Sequence, residues 1–297
     1  MAARWHGVPG SVKQRMRSVG NIGKITKAMK MVAASKMRVA QVNTTNSRGM
    51  VQPMLRLLGD LPSAQGDRNV FVPVSTDRGL CGGINTTVAK FTRGVIKAVD
   101  DAPASAPGGG EGGASAGERE NLLFVLGEKG RSQLQRDMRR SIAGTAADTG
   151  KVRITFSLAS ALADEIVGTE YDVARVIYNR FVSAINYKVT VATILSPNAL
   201  EREAEAGGAL DAYEIEGPDR AELLQDLGEF QLASTLFNAL MENNCSEQAS
   251  RMAAMESSTK NAAEMLGKLT LTYNRTRQAS ITTELIEIIS GATALEG

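Results

Sequence analysis

The chain has 297 residues, enough for one large domain or two small ones, and a formal net charge of only +2. Two cysteines, Cys81 and Cys245, and a single histidine, His6, exclude a disulfide framework, a cysteine-based zinc module and a histidine-containing triad. Aromatic residues make up 4%, too few for a protein that reads single strands by stacking, and no apolar run is long enough to span a membrane.

The charge is unevenly placed. Residues 1–59 hold 11 Lys/Arg and no acid; residues 60–297 hold 23 basic and 32 acidic residues. A basic arm on an acidic body implies an acidic partner, and composition leaves nucleic acid, anionic lipid and protein all open. The opening residues lack an apolar signal region. Their acid-free, arginine-containing character is compatible with a mitochondrial address or its remnant.

In chain order, a long helix is expected first, within residues 1–60. Between Pro9 and Pro53 there is no proline, and Val12, Met16, Val19, Ile22, Ile25, Met29 and Val32 step by three or four. Small residues such as Ala28, Ala33 and Ala34 permit a second helix to approach closely. Gly20 and Gly23 weaken the helix by about 1 kcal/mol each relative to alanine.

The middle, residues 68–200, alternates strands and helices. Val70–Ser75, Leu122–Leu126, Val173–Phe181 and Val189–Leu195 read as strands. Ile84–Val99, Glu128–Arg139 and Leu158–Gly168 read as helices. Such alternation predicts a partly parallel sheet with helices on its faces. The Pro/Gly/Ala/Ser-rich stretch 100–120 reads as a flexible surface insertion, and 201–217 as an acidic linker.

The last region, 218–297, is again helical, with Pro218 suited to a first turn. Its stripe runs Leu223, Leu227, Phe230, Ser234, Phe237, Met241, Cys245 and on through Met252, Met255, Thr259, Ala262, Leu266, Leu269, Tyr273 and Thr276. The spacing is close to 3.5, the coiled-coil period. A helix of about 70 residues would reach roughly 105 Å. The first helix is its natural mate, giving an antiparallel coiled coil around an inserted α/β unit. Between Lys260 and Arg277 the last helix is again basic, with Glu264 its one acid.

Four groups invite a chemical reading. Ser75–Asn85, with Gly79, Gly82 and Gly83, joins a strand to a helix and could cradle phosphate. Its pattern fits neither G-x-G-x-x-G nor a Walker loop, so a tight turn is the favoured reading over a nucleotide-binding enzyme. Cys81 beside Arg78 has no histidine or second cysteine near it, so a packed thiol is favoured over a nucleophile. Asp164 with Glu165, and Glu284 with Glu287, read as solvated helix edges rather than acid–base pairs. The basic arm could contact nucleic acid, but its apolar stripe packs on protein, and 11 bases without an acid exceed an ordinary solvated face.

Three segments carry a resemblance: KITKAMKMVAASKMR at 24–38, DRGLCGGIN at 77–85 and RQASITTELIEIISGA at 277–292. Together they resemble the gamma subunit of F-type ATP synthases, at both ends and the centre and in the right order. The resemblance implies a fold in which long terminal helices form a shaft and a Rossmann-like α/β domain forms a foot. It implies a central rotor stalk inside a ring of alpha and beta subunits, resting on the c-ring beside epsilon-type and delta-type subunits. It implies no catalysis, no cofactor, no metal and no nucleic acid. Contact with the membrane is indirect, through the c-ring. Met29, Arg251, Arg277, Gln278, Thr282 and Glu284 match positions that contact or couple to the beta subunits. Ile288 and Ile289 match an apolar tip turning in a collar. The second connection, 201–217, lacks the cysteine pair of plant-chloroplast members. With the targeting-like start, this favours the matrix side of the mitochondrial inner membrane, with a bacterial plasma membrane as the alternative.

Overall fold

The computed structural model describes residues 8–59, 61–62, 64, 66–102, 119–150, 152–205 and 219–296. His6, most of the 100–120 insertion and residues 206–217 of the second connection lie outside them, as does Pro218. The chain divides into two compact units, Met1–Val32 with Met252–Gly297, and Ala33–Arg251.

Two helices run through both. Helix α1 is Val8–Leu58 and continues through Pro53; helix α6 is Arg220–Glu296. The first turn of α6 is closed by Asp219, whose backbone carbonyl accepts from Leu223 N and whose side chain accepts from Ala221 N.

In the first unit the two helices pair antiparallel. Thr26 meets Thr259, hydroxyl to hydroxyl at 2.8 Å, and Lys30 meets Glu256 at 3.2 Å. Gly23 stands where a Cβ would lie 3.6 Å from that of Ala262. In this unit the predicted α6 stripe faces inward, with Met255, Thr259, Ala262, Leu266, Leu269, Tyr273 and Thr276 all buried or half-buried; nearer the start of α6 its members Leu223 and Phe230 are exposed. On α1 the inward row differs from the predicted stripe. It runs Val12, Met16, Val19, Gly23, Thr26 and Met29/Lys30, whereas Ile22, Ile25 and Val32 are more than half exposed. Around Gly23 and Thr26 small residues take the seam because they let the helices close in, and the neighbouring Ile22 and Ile25 are turned outward.

The second unit is built on a five-stranded sheet, β1 (Arg68–Pro73), β2 (Glu120–Leu126), β3 (Ile142–Ala146), β4 (Val173–Phe181) and β5 (Tyr187–Leu195). Their order is β3-β2-β1-β4-β5. Only the last pair, β4 with β5, is antiparallel. Strand β3 (IAGTA) escapes a sequence reading because its residues are mostly small. Gly144 there leaves room for the Phe124 ring, which a Cβ would approach to 2.3 Å.

Side chains alternate between the two faces, as a pleated strand requires. On one face, Phe71, Leu123, Val125 and Ile177 pack with Val88, Ala89 and Ile96 of α2 (Ile84–Asp100) and Leu134 of α3 (Glu128–Met138). On the other, Val70, Val72, Val74, Phe124, Leu126, Ala174 and Val176 meet α4 (Phe156–Val167) and α6. From α6 come Leu232, Ala233, Leu236, Ala239 and Leu240, so this part of the long helix is a core helix of the unit. Pro197–Glu205 forms a further helix, α5, where the sequence reading began a polar connection. Its Leu200 packs with Met54, Leu58, Val173, Leu195 and Leu224.

Gly127 follows β2 at φ 96°, and a Cβ there would lie 2.7 Å from the Ser75 carbonyl oxygen. Gly94, inside α2, has open space around it. Gly127→Ala is expected to destabilise the fold by about 1–3 kcal/mol through strain at that φ alone. Gly94→Ala is expected to stabilise it by about 0.5–1 kcal/mol through helix propensity. Urea unfolding of the two variants measures this opposite pair of signs.

Candidate functional site

Open α/β sheets bind ligands outside the carboxyl ends of their strands, where the strand order reverses. Here the chain steps from β1 to β2 to β3 on one side, then returns through α4 to β4 on the other side of β1. The loop at this switch point is 75–83, the segment that sequence alone left open between a phosphate cradle and a tight turn.

The loop is satisfied from within. Asp77 accepts backbone N–H groups from Glu128 at 3.1 Å, Asp148 at 3.0 Å and Gly150 at 3.1 Å. Asn85 accepts from Thr76 N at 2.9 Å and donates to Thr76 Oγ1 at 2.8 Å. Leu80 and Gly82 adopt φ values of 63° and 62° to close the turn. Cys81 is buried, its Sγ 3.4 Å from Asn85 Nδ2 and 3.6 Å from Thr76 Oγ1, a packed thiol.

Helix α6 takes the loop carbonyls. Asn243 Nδ2 donates to Ser75 O at 3.1 Å, and Ser250 Oγ donates to Cys81 O at 2.6 Å. Arg251 reaches Gly79 O at 3.5 Å and is held at 2.5 Å by Glu247. The crevice where a nucleotide would sit is therefore filled by the chain's own helix. This decides the glycine-rich segment as a turn.

The same stretch of α6 is stitched to two other elements. Asn243 Oδ1 accepts from Asn179 Nδ2 at 2.9 Å, and Ser246 Oγ donates to Asn179 O at 2.9 Å, both on β4. Toward α1, Thr44 Oγ1 donates to Met241 O at 3.1 Å and Ser47 Oγ to Asn238 Oδ1 at 3.0 Å. Glu242 is 1% exposed and lies at the meeting point. It accepts from Arg48 Nε at 2.5 Å, from Arg48 Nη2 at 3.0 Å and from Phe181 N at 2.7 Å. Arg48 Nη2 also donates to Phe181 O at 2.7 Å. The hydrogen bond to Glu242 holds the Arg48 guanidinium above its usual pKa, against the opposing effect of burial. Nearby Cys245 is pushed up to about 11, chiefly by burial, so its thiol stays protonated.

No sequence reading singled out Arg48 or Glu242. Neither carries a local signal: Glu242 lies beside the apolar stripe of α6 rather than in it, and Arg48 is one of 11 basic residues in an acid-free segment.

A cavity of about 590 Å³ opens between α1, α6 and segment 150–156. Its polar lining among the described residues is Asn43, Asn46, Ser47, Arg153, Thr155 and Asn244. Asp164, Glu165, Glu284 and Glu287 are exposed on helix surfaces. Among the described residues no cluster of His, Cys, Asp and Glu has metal-binding geometry, and no helix is long and apolar enough to cross a membrane.

The six predicted coupling residues fall in three places. Met29 is half-buried beside the α1 seam. Arg251 is fixed against the 75–83 loop. Arg277, Gln278, Thr282 and Glu284 gather on the end of α6, all exposed. The helical register of the first unit carries Arg277 opposite Val8, where α1 begins. From 281 to 294 every residue of α6 is exposed, including Ile281, Leu285, Ile286, Ile288 and Ile289.

The ATP synthase family model matches residues 10–295. Mitochondrial ATP synthase gamma subunits of Ipomoea batatas and Arabidopsis thaliana are 51% and 50% identical, over 96% of this chain and 85% of theirs.

The chain belongs to the ATP synthase gamma subunit family.

A family member from Drosophila melanogaster is 37% identical over 95% of the chain and 88% of its own. Among solved structures, a chain of the Tetrahymena thermophila mitochondrial ATP synthase central stalk and c-ring is 29% identical, with a TM-score of 0.59 over 78% of this chain and 98% of its own. A chain from the Euglena gracilis mitochondrial ATP synthase reaches a TM-score of 0.78 at 21% identity, over 97% of this chain and 95% of its own, and shares the fold. At the switch point, where open α/β sheets commonly bind ligands, this unit carries its own long helix.

Lys30 pulls the Glu256 carboxyl below its ordinary 4.5, first by hydrogen bond and then by charge, with Lys260 adding to it. A depressed carboxyl stabilises the fold above its unfolded value, and the contribution is lost as pH falls through the folded value. Lys30→Gln is expected to return the Glu256 titration toward 4.5. An NMR titration of labelled glutamate carboxyls reads the shift.

Proposed function

We propose that this chain is the central rotor stalk of a mitochondrial F-type ATP synthase, on the matrix side of the inner membrane. It couples rotation of the c-ring to ATP synthesis in the alpha/beta hexamer. The observation that carries this reading is the family match along 96% of the chain, together with helical surface that the chain itself leaves uncovered. That surface has the right chemistry for its role. On α1, Lys13, Arg15, Arg17, Lys24 and Lys27 are exposed among the outward-turned Ile22 and Ile25. It suits an acidic partner with apolar patches. The end of α6 is apolar and bare, suited to turning within a collar.

The chain works as a mechanical allosteric element without chemistry of its own. A shaft without threefold symmetry touches three beta subunits differently, so each is held at a different nucleotide affinity. A ligand or partner shifts an equilibrium only by its differential contact with the states, and here the differential contact is the shaft's angle. Proton flow turns the c-ring, the c-ring turns the foot, and the foot turns the shaft. Epsilon-type and delta-type subunits complete the rotor. Within this reading Met29, Arg277, Gln278, Thr282 and Glu284 are contacts toward the beta subunits. Arg251 acts from its place against the 75–83 loop.

Two measurements test it. The isolated chain is expected neither to bind nor to hydrolyse ATP, yet to restore cooperative hydrolysis to a mixture of alpha and beta subunits. Robust ATPase activity from the chain alone overturns the reading. In the assembled synthase, Met29→Lys adds charge to the shaft and is expected to lower the protons pumped per ATP hydrolysed without reducing assembly. An unchanged ratio removes Met29 from the coupling surface.

A further inference from the structure

Three elements meet at Glu242, and each pair of them is bonded directly. Arg48 of α1 pairs with Glu242 of α6, Glu242 accepts from Phe181 N of β4, and Arg48 donates to Phe181 O. This closed triangle is the one place among the described contacts where α1, α6 and the sheet are joined by charged groups. We propose that Arg48 and Glu242 are positioning residues for torque, locking α1 and α6 to the end of β4 within the α/β unit. The inference rests on the stalk reading given above.

The argument is mechanical. Toward the amino-terminal side of Glu242 the α6–sheet contact is apolar, through Leu232, Leu236 and Leu240. Apolar attraction is non-directional, so a helix under torque can roll on such a face while keeping most of its buried area. Hydrogen bonds are directional and fail within about 1 Å of displacement. A roll of α6 that parts Glu242 from Arg48 and Phe181 leaves a carboxylate with 1% exposure and no partner, which is strongly opposed. The flanking bonds reinforce the same lock. Thr44 and Ser47 hold α6 to α1, and Asn179 holds it to β4. Arg48 keeps a third of its side chain exposed, so its replacement is less disruptive than that of Glu242.

The test uses the assembled synthase carrying this chain with Arg48→Met, which keeps an apolar stem, or Arg48→Lys, which keeps the charge but loses the fork. The readouts are the amount of assembled complex and, per assembled complex, the protons pumped for each ATP hydrolysed as the opposing gradient is raised. The expected result is an ordered loss in that ratio. Arg48→Met falls at least threefold under load, and Arg48→Lys recovers part of it. Equal ratios in wild type and both variants overturn the proposal, even if less complex assembles, because that marks Arg48 as structural only. If Arg48→Met fails to assemble, the comparison of Arg48→Lys with wild type decides in the same way. Failure of the stalk reading is separately visible, since the wild-type chain then fails to support coupled pumping at all.

Discussion

The second unit depends on the burial of one stretch of α6, residues 232–250, against the carboxyl half of the sheet. Its apolar row completes the core beside α4. Its polar row reaches the backbone carbonyls of the β1 loop and the end of β4. A sheet of this topology has a crevice at its switch point, and the exposed loop carbonyls there need partners. Supplying them from a helix removes the ligand site and anchors the helix in one step. The glycine-rich turn, buried Cys81 and the Asp77 staple then follow as devices that hold the loop flat beneath it.

The pairing in the first unit follows a different rule. Gly23, Thr26, Thr259 and Ala262 are small, so the two helix backbones approach closely, and hydroxyls meet across the seam. Three larger apolar residues of α1, Ile22, Ile25 and Val32, are left on the outside among lysines and arginines. Exposed Ile22, Ile25 and Val32 cost stability in isolation. On the stalk reading they lie on a surface that a partner protein covers.

Much of this was legible in the sequence. Strands β1, β2, β4 and β5 and helices α2, α3 and α4 were found near their observed bounds, because they are β-branched or amphipathic runs punctuated by glycine. Strand β3 was missed because Ala143, Gly144 and Ala146 carry no strand signal; the Phe124 ring defines the strand by packing. The α1 seam was read correctly at Val12, Met16, Val19 and Met29 and one residue out at Ile22, Ile25 and Val32, where Gly23, Thr26 and Ala33 turn inward instead. The proposed coupling residues come from motif resemblance, and the fold divides them into an exposed tip, a loop-bound arginine and a half-buried methionine. Arg48 and Glu242 carried no local signal. They lie 194 positions apart, and only the fold brings them together.

The end of α6 has a mechanical meaning of its own. Up to Arg277 the helix shares load with α1, and two helices in contact bend and twist as a composite beam. Past that point it has no described companion, and a lone helix is the more compliant member. Among the described residues, 278–294 are the stretch of α6 with no partner helix, so on the stalk reading they form the more compliant part of the shaft.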